Sequence, residues 1–259
     1  MRNGSVWVHP YGGGFSRFDK AANCLRPFYN GFSDTDWRFS NKIHSAFSDR
    51  QGNLWMCTHS KGLEKITFRS SFFSMMTPEP HRYESLSNEV RALCEDTEHN
   101  LWVGLKDGKI RIYDKNRTEL GYFTETGTIS HAGIPLKGNT YCIFQDSKHN
   151  IWIATKGEGL VKARPQGGGH YKLTRYCHSR DDIYSLSDNN VYCVYEDVKG
   201  RIWVATFGGG INYLTHNRGG REIFVNHRNN LKGFPIDNCH KVRFVTGDHR
   251  GNIWIATTV

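Results

Sequence analysis

The chain has no run approaching the roughly 18–20 apolar residues that a membrane-spanning helix needs. It has no leader either, because "MRNGSVWVHPYGGG" does not place an apolar stretch after a basic one. If Met1 is a natural start this points to the cytosol; if the chain is an excised piece it says nothing about location. Cysteines stand at 24, 57, 94, 142, 177, 193 and 239, and no two have C-x-x-C spacing, which argues against a zinc site. There is no G-x-S-x-G, no H-E-x-x-H and no phosphate-binding loop, so no motif points to a catalytic residue, a cofactor or a metal. Blocks of like charge are missing too, although Lys and Arg outnumber Asp and Glu by 34 to 25, a net charge of +9. A basic balance permits an anionic partner, and its plain reading is a solvated surface.

What is present is material for a core. Hydrophobic residues make up 37% of the 259, with 15 Phe, 12 Tyr and 7 Trp, which excludes a disordered chain. The 27 glycines follow no collagen period and point to many tight turns, as in an all-β protein. Cys94, Cys142 and Cys193 fall in alternating apolar segments and read as small buried hydrophobes.

Six tryptophans are in register: Trp7, Trp55, Trp102, Trp152, Trp203 and Trp254, spaced by 48, 47, 50, 51 and 51. An aspartate lies six residues before five of them, at Asp49, Asp96, Asp146, Asp197 and Asp248. A fixed period near fifty marks a stacked or radial array. Each copy reads as four short strands: "VYCVYED", "RIWVAT", "GGINYLT" and "REIFVNH" are one set. A four-stranded antiparallel sheet repeated in this way is a propeller blade.

The aspartate that ends the first strand is suited to accept hydrogen bonds from turn N–H groups. Three residues later come Gly52, His99, His149, Gly200 and Gly251, types that tolerate the positive φ of a tight hairpin, so the two histidines read as turn residues before ligands. On the second strand Trp152 and Ala154 share one face, while Ile151, Ile153 and Thr155 take the other. The residue two after Trp is small: Cys57, Gly104, Ala154, Ala205 and Ala256. A large ring beside a small residue lets neighbouring blades interdigitate.

"SLSNEVRALCEDTEHNLWVGLKDGKIRIYD" and "YSLSDNNVYCVYEDVKGRIWVATFGGGINYL" share a SLS-N lead, an alternating strand ending in Asp, a turn, a (L/I)-W-(V/I)-(G/A) strand and a glycine-opened third strand. This pattern resembles the two-component regulator propeller repeat, with a degenerate first copy at "GSVWVHPYGGGFSRFDK" and departures at Leu105 and the single Gly108. The resemblance implies an all-β propeller segment: a partial blade over 1–43, blades over 44–89, 90–138, 139–189 and 190–240, and a partial blade over 241–259. These five to six repeats would be part of a seven-bladed ring, because repeats depend on their neighbours for burial. It further implies the periplasmic sensor of an inner-membrane hybrid histidine kinase that recognises oligosaccharides. The partners implied are that oligosaccharide, neutral or acidic, the remaining blades and downstream sensor domains of the same polypeptide, and a second copy in a homodimer. No cofactor, metal or nucleic acid is implied.

A binding face is expected where the second strand ends and the first begins. The residue four after each Trp gives Tyr11, His59, Lys106, Lys156, Phe207 and Thr258; the start of strand one gives Arg91, Tyr141, Tyr192 and Lys241. Aromatic planes can pack on the apolar faces of sugar rings, and Arg or Lys can hold carboxylate or sulfate. From these, Tyr11, His59, Arg91, Lys106, Tyr141, Lys156, Tyr192 and Phe207 are the candidate ligand-binding residues. A protein-interaction scaffold and, less readily, a propeller lyase or hydrolase are the competing readings.

Overall fold

The computed structural model describes residues 6–8, 15–28, 43–51, 53–59, 62–66, 76–78 and 88–258. The chain divides into two compact units, Met1–Tyr83 and Glu84–Val259. The first holds two three-stranded sheets, β1 (Trp7–Val8), β2 (Phe15–Asp19) and β3 (Cys24–Phe28), then β4 (Ile43–Ser48), β5 (Leu54–Thr58) and β6 (Leu63–Ile66).

The second unit opens with a five-stranded sheet of β7 (Val90–Glu95), β8 (Leu101–Leu105), β9 (Ile110–Tyr113), β10 (Glu119–Phe123) and β11 (Ile129–Ser130). A four-stranded sheet follows, made of β12 (Asn139–Gln145), β13 (Ile151–Lys156), β14 (Leu160–Gly167) and β15 (His170–Tyr176). The next four-stranded sheet is β16 (Val191–Glu196), β17 (Ile202–Thr206), β18 (Gly210–His216) and β19 (Glu222–Val225). A single helical turn, α1 (Ile236–Cys239), precedes a pair of strands, β20 (Val242–Gly247) and β21 (Ile253–Thr257). In every sheet sequence neighbours pair antiparallel, so short strands and tight turns suffice to build it.

The conserved spacing of Asp and Trp within the chain has a cause. Asp96 Oδ1 accepts the backbone N–H of Glu98 at 2.9 Å and of Asn100 at 2.8 Å, which closes the turn. His99 and His149 sit there at φ 63°, and Gly200 and Gly251 at 72° and 84°. Gly52 lies outside the described residues. The other oxygen of the same carboxylate, Oδ2, accepts the Trp102 indole N–H at 2.8 Å. The bond recurs from Trp55 to Asp49, Trp152 to Asp146, Trp203 to Asp197 and Trp254 to Asp248, at 2.9, 2.8, 2.9 and 3.3 Å. A buried indole N–H without a partner would cost about 1–3 kcal/mol, so the aspartate satisfies the donor that burial of the ring creates.

Within Glu84–Val259 the sheets pack face to face. Trp102 joins Ile151 and Ile153 of the following sheet in one buried cluster. Trp152 in turn meets Val194, Ile202 and Val204, and Trp203 meets Val242 and Val245. Strands β13 and β17 are buried along both faces, whereas β21 is not: Trp254 is 61% exposed, because no later sheet of Glu84–Val259 follows to cover it. The first strands β7, β12, β16 and β20 run beside one another. Side-chain clasps tie them: Gln145 Oε1 accepts the Thr97 N–H at 2.8 Å, and Glu196 accepts the Ser147 N–H and hydroxyl at 2.7 and 2.6 Å.

Strand β11 was not expected from the repeat. It pairs with β10 through Tyr122↔Ser130 and Phe123↔Ile129 and reaches the β14–β15 turn, where the Ile129 N–H donates to Gly169 O at 3.1 Å. Of the cysteines, Cys193 is buried, and Cys94 and Cys142 are half-buried rather than fully enclosed.

Candidate functional site

Every pairing of a first strand with its second skips one residue at the same place. Val90 pairs with Leu105 and Ala92 with Gly104; Thr140 pairs with Thr155 and Cys142 with Ala154. The later copies do likewise, with Val191↔Thr206 then Cys193↔Ala205, and Val242↔Thr257 then Phe244↔Ala256. The residues left over are Arg91, Tyr141, Tyr192 and Arg243. In the first unit, Ile43↔Thr58 then Ser45↔Cys57 leaves His44. A bulge leaves its extra residue out of the ladder and re-aims its side chain. Opposite the bulge the residue is small: a Cβ at Gly104 would stand 3.0 Å from both Ala92 Cβ and Thr140 Cγ2 of the next sheet's first strand, so the close approach of the sheets limits its size.

In Glu84–Val259 the bulged side chains form a continuous stack. The Arg91 guanidinium donates to the Tyr141 hydroxyl at 2.5 Å and lies 4.9 Å from the centre of its ring. Tyr141 and Tyr192 have ring centres 4.4 Å apart, tilted by 36°. Tyr192 stacks on Phe207 at 5.0 Å and 23°. Arg243 caps the far end, 4.9 Å from the Phe207 ring centre and 5.6 Å from that of Tyr192. Phe207 is held there by its own N–H on Asn190 O at 2.8 Å and by a bridge to Lys241.

The charges at the two ends differ. Glu89 takes the Lys106 ammonium at 2.6 Å and Arg91 at 3.1 Å. The hydrogen bond from Lys106, followed by that from Arg91, holds the Glu89 carboxyl below its usual range. The Glu89 carboxylate raises the pKa of Arg91 in return. In the middle of the stack burial, followed by the charge and hydroxyl of Tyr141, raises the Tyr192 phenol, which keeps its proton near neutrality.

The structure thus joins Arg91, Tyr141, Tyr192 and Phe207 in one stack and ties Lys106 to Arg91 through Glu89. Lys156 is exposed and is not among the residues whose ring or hydrogen-bond contacts build the stack. His59 lies in the other unit, stacked on His44 with ring centres 3.8 Å apart. Tyr11 lies outside the described residues. One assignment needs correcting: Lys241 is not the counterpart of Tyr192. Its carbonyl accepts the Thr258 N–H at 3.1 Å, and the equivalent position is Arg243, two residues on. Sequence reasoning missed Arg243 and His44. Counting five residues back from each motif aspartate would have found both.

The motif carboxylates are occupied. Asp197 is held at about 2: burial opposes this, but the Trp203 indole, the Arg201 N–H and guanidinium and the Lys199 N–H outweigh it. Asp49 is also held at about 2, by the Asn53 side chain and then the Trp55 indole. Groups so acidic are poor general bases near neutrality. Among the described residues no three His, Cys, Asp or Glu stand close enough to hold a metal ion, and no helix is long and apolar enough to cross a membrane. The geometry supports recognition by stacking and charge-assisted hydrogen bonds.

Antiparallel meanders stacked face to face, with first strands side by side and a tryptophan closing each seam, define a β-propeller segment. The profile of the two-component regulator propeller family matches its repeats at residues 38–60, 85–107, 135–157 and 185–208. Histidine kinase P4 of Formosa agariphila is 22% identical over 195 residues, 75% of this chain and 13% of that protein. The extracellular domain of the hybrid two component system BT3049 from B. thetaiotaomicron matches with a TM-score of 0.52 at 22% identity, over 99% of this chain and 31% of that one. The extracellular domain of the one component system BT4673 from the same organism gives 0.52 at 19% identity, over 99% and 34%. This chain therefore spans a minor part of each.

Proposed function

We propose that this chain is the ligand-sensing part of an extracytoplasmic receptor propeller, binding an oligosaccharide on the face that carries Arg91, Tyr141, Tyr192, Phe207 and Arg243. On this reading the signal passes to a kinase elsewhere in the same polypeptide, and the chain itself has no catalytic role. The observation that carries it is the stack. Tyr141 and Tyr192, bulge residues of successive sheets, have ring centres 4.4 Å apart, and Phe207, immediately after β17, extends the row at 5.0 Å. The family of the repeats and the kinase relative support the receptor context. The uncovered Trp254 and Phe244, 61% and 56% exposed, suit the addition of further blades toward a seven-bladed ring.

Calorimetry of the receptor's whole sensor region against a panel of neutral and acidic oligosaccharides tests this. Tyr141→Ala and Tyr192→Ala should each weaken the best ligand by roughly tenfold, the scale of a lost aromatic contact, while the melting temperature stays near that of the parent. Unchanged affinity in both variants would move the site elsewhere and favour the protein-interaction reading.

A further inference from the structure

The two ends of the stack carry the same residue type in different electrostatic states. Both arginines are bulge residues at the same point of the repeat. The fork of Arg91 is consumed: one Nη donates to the Tyr141 hydroxyl at 2.5 Å and the other to Glu89 at 3.1 Å. Glu89 also neutralises the nearest ammonium, that of Lys106. Arg243 is exposed, and among the described residues no carboxylate lies within 4.0 Å of its guanidinium. Its contacts are the two ring faces of Phe207 and Tyr192.

A guanidinium over a ring engages through its face and leaves its N–H edge free for a planar bidentate acceptor. Stacking also restrains a long side chain before any ligand arrives, which lowers the entropy lost on binding. Lys156 is exposed, and among the described residues its ammonium makes no cation–π contact of the kind that restrains Arg243. The half-buried Phe207 ring beside Arg243 offers an apolar plane next to the cation.

We infer that Arg243 forms an anion subsite, holding a carboxylate or sulfate carried on a sugar ring that packs against Phe207 and Tyr192. The inference rests on the reading of the stack as a saccharide site and gives that site a polarity: the acidic end of the ligand lies at Arg243, away from Arg91 and Lys106.

The test is an NMR titration of the 259-residue chain at low ionic strength with methyl glucuronide and with methyl glucoside, its neutral counterpart. The glucuronide should bind about tenfold more tightly, the margin of a charge-assisted over a neutral hydrogen bond, and the margin should shrink as salt is added. Arg243→Gln should erase it by weakening the glucuronide alone. Arg243→Lys, which keeps the charge and loses the fork, should restore part of it. Lys106→Gln should leave the margin intact. No preference for the glucuronide in the parent, a preference that survives Arg243→Gln, or one that disappears in Lys106→Gln would each overturn the inference. Tyr141→Ala separates it from the reading beneath it. If that variant weakens both sugars while Arg243→Gln weakens neither, the subsite fails and the saccharide site stands. If Arg243→Gln weakens the glucuronide while Tyr141→Ala weakens nothing, the subsite stands and the stack is not the saccharide platform.

Discussion

Trp152 and Trp254 occupy the same place in their repeats, and each donates its indole N–H to the aspartate six residues earlier, at 2.8 and 3.3 Å. One ring is 1% exposed and the other 61%. Trp152 is covered by Val194, Ile202 and Val204 of the next sheet, whereas Glu84–Val259 has no further sheet to cover Trp254. The hydrogen bond is therefore a property of the single repeat, and burial is a property of the neighbour. In a quasi-one-dimensional array these two contributions separate, and each can be measured alone.

The largest contrast should come from the rings themselves. Trp152→Ala is expected to cost about 3–5 kcal/mol, the usual range for a large buried aromatic. Trp254→Ala should cost less than about 1 kcal/mol, since an exposed side chain has little burial to lose. Denaturant unfolding of the unit followed by two probes measures both; equal losses would show that Trp254 is covered in solution.

Removing the carboxylates sharpens the same comparison at a smaller scale. Asp146→Ala leaves a buried indole N–H and the turn donors unpaired, a loss of about 2–3 kcal/mol, and Asp248→Ala should cost clearly less because water replaces the acceptor. For Asp197 the effect has a pH signature. Its folded pKa of about 2 lies below the ordinary 3.8, so its stabilisation is fully present above about pH 4 and is lost as pH falls toward 2. Melting temperature against pH should lose part of its slope in that window in Asp197→Asn, and an unchanged slope would place the titration in other groups.

The smallest effect is expected at the clasps. Glu196→Ala removes both bonds to Ser147 and should cost about 1 kcal/mol. The following junction has Gly247 at that position, where a Cβ would stand 2.8 Å from the Tyr195 hydroxyl. Gly247→Glu should therefore destabilise rather than supply the missing clasp, and a gain in melting temperature would show that Tyr195 yields.

Much of this was legible in the residues. The period near fifty, the second-strand position of each tryptophan and the positive φ at His99 and His149 all follow from spacing and residue type. The link between Asp and Trp was visible as a constant interval of six, yet the two residues read as having separate tasks. Only the fold of the turn shows one carboxylate serving both, an oxygen for the backbone and an oxygen for the indole. At the site, Tyr141, Tyr192 and Phe207 could be nominated from sequence, whereas their stacking and the counterion of Lys106 could not. Assigning Lys241 in place of Arg243 has a single cause. Arg91, Tyr141 and Tyr192 each stand five residues before their motif aspartate, whereas Lys241 stands seven before Asp248, out of the register of the repeat.

The sequence by itself determined the blade, because strand alternation, turn chemistry and the Asp–Trp interval act within about twenty residues of one another. Tertiary structure alone decided which tryptophans are buried, which arginine is free and which rings touch. Those outcomes depend on residues some fifty positions apart, brought together when one sheet packs on the next.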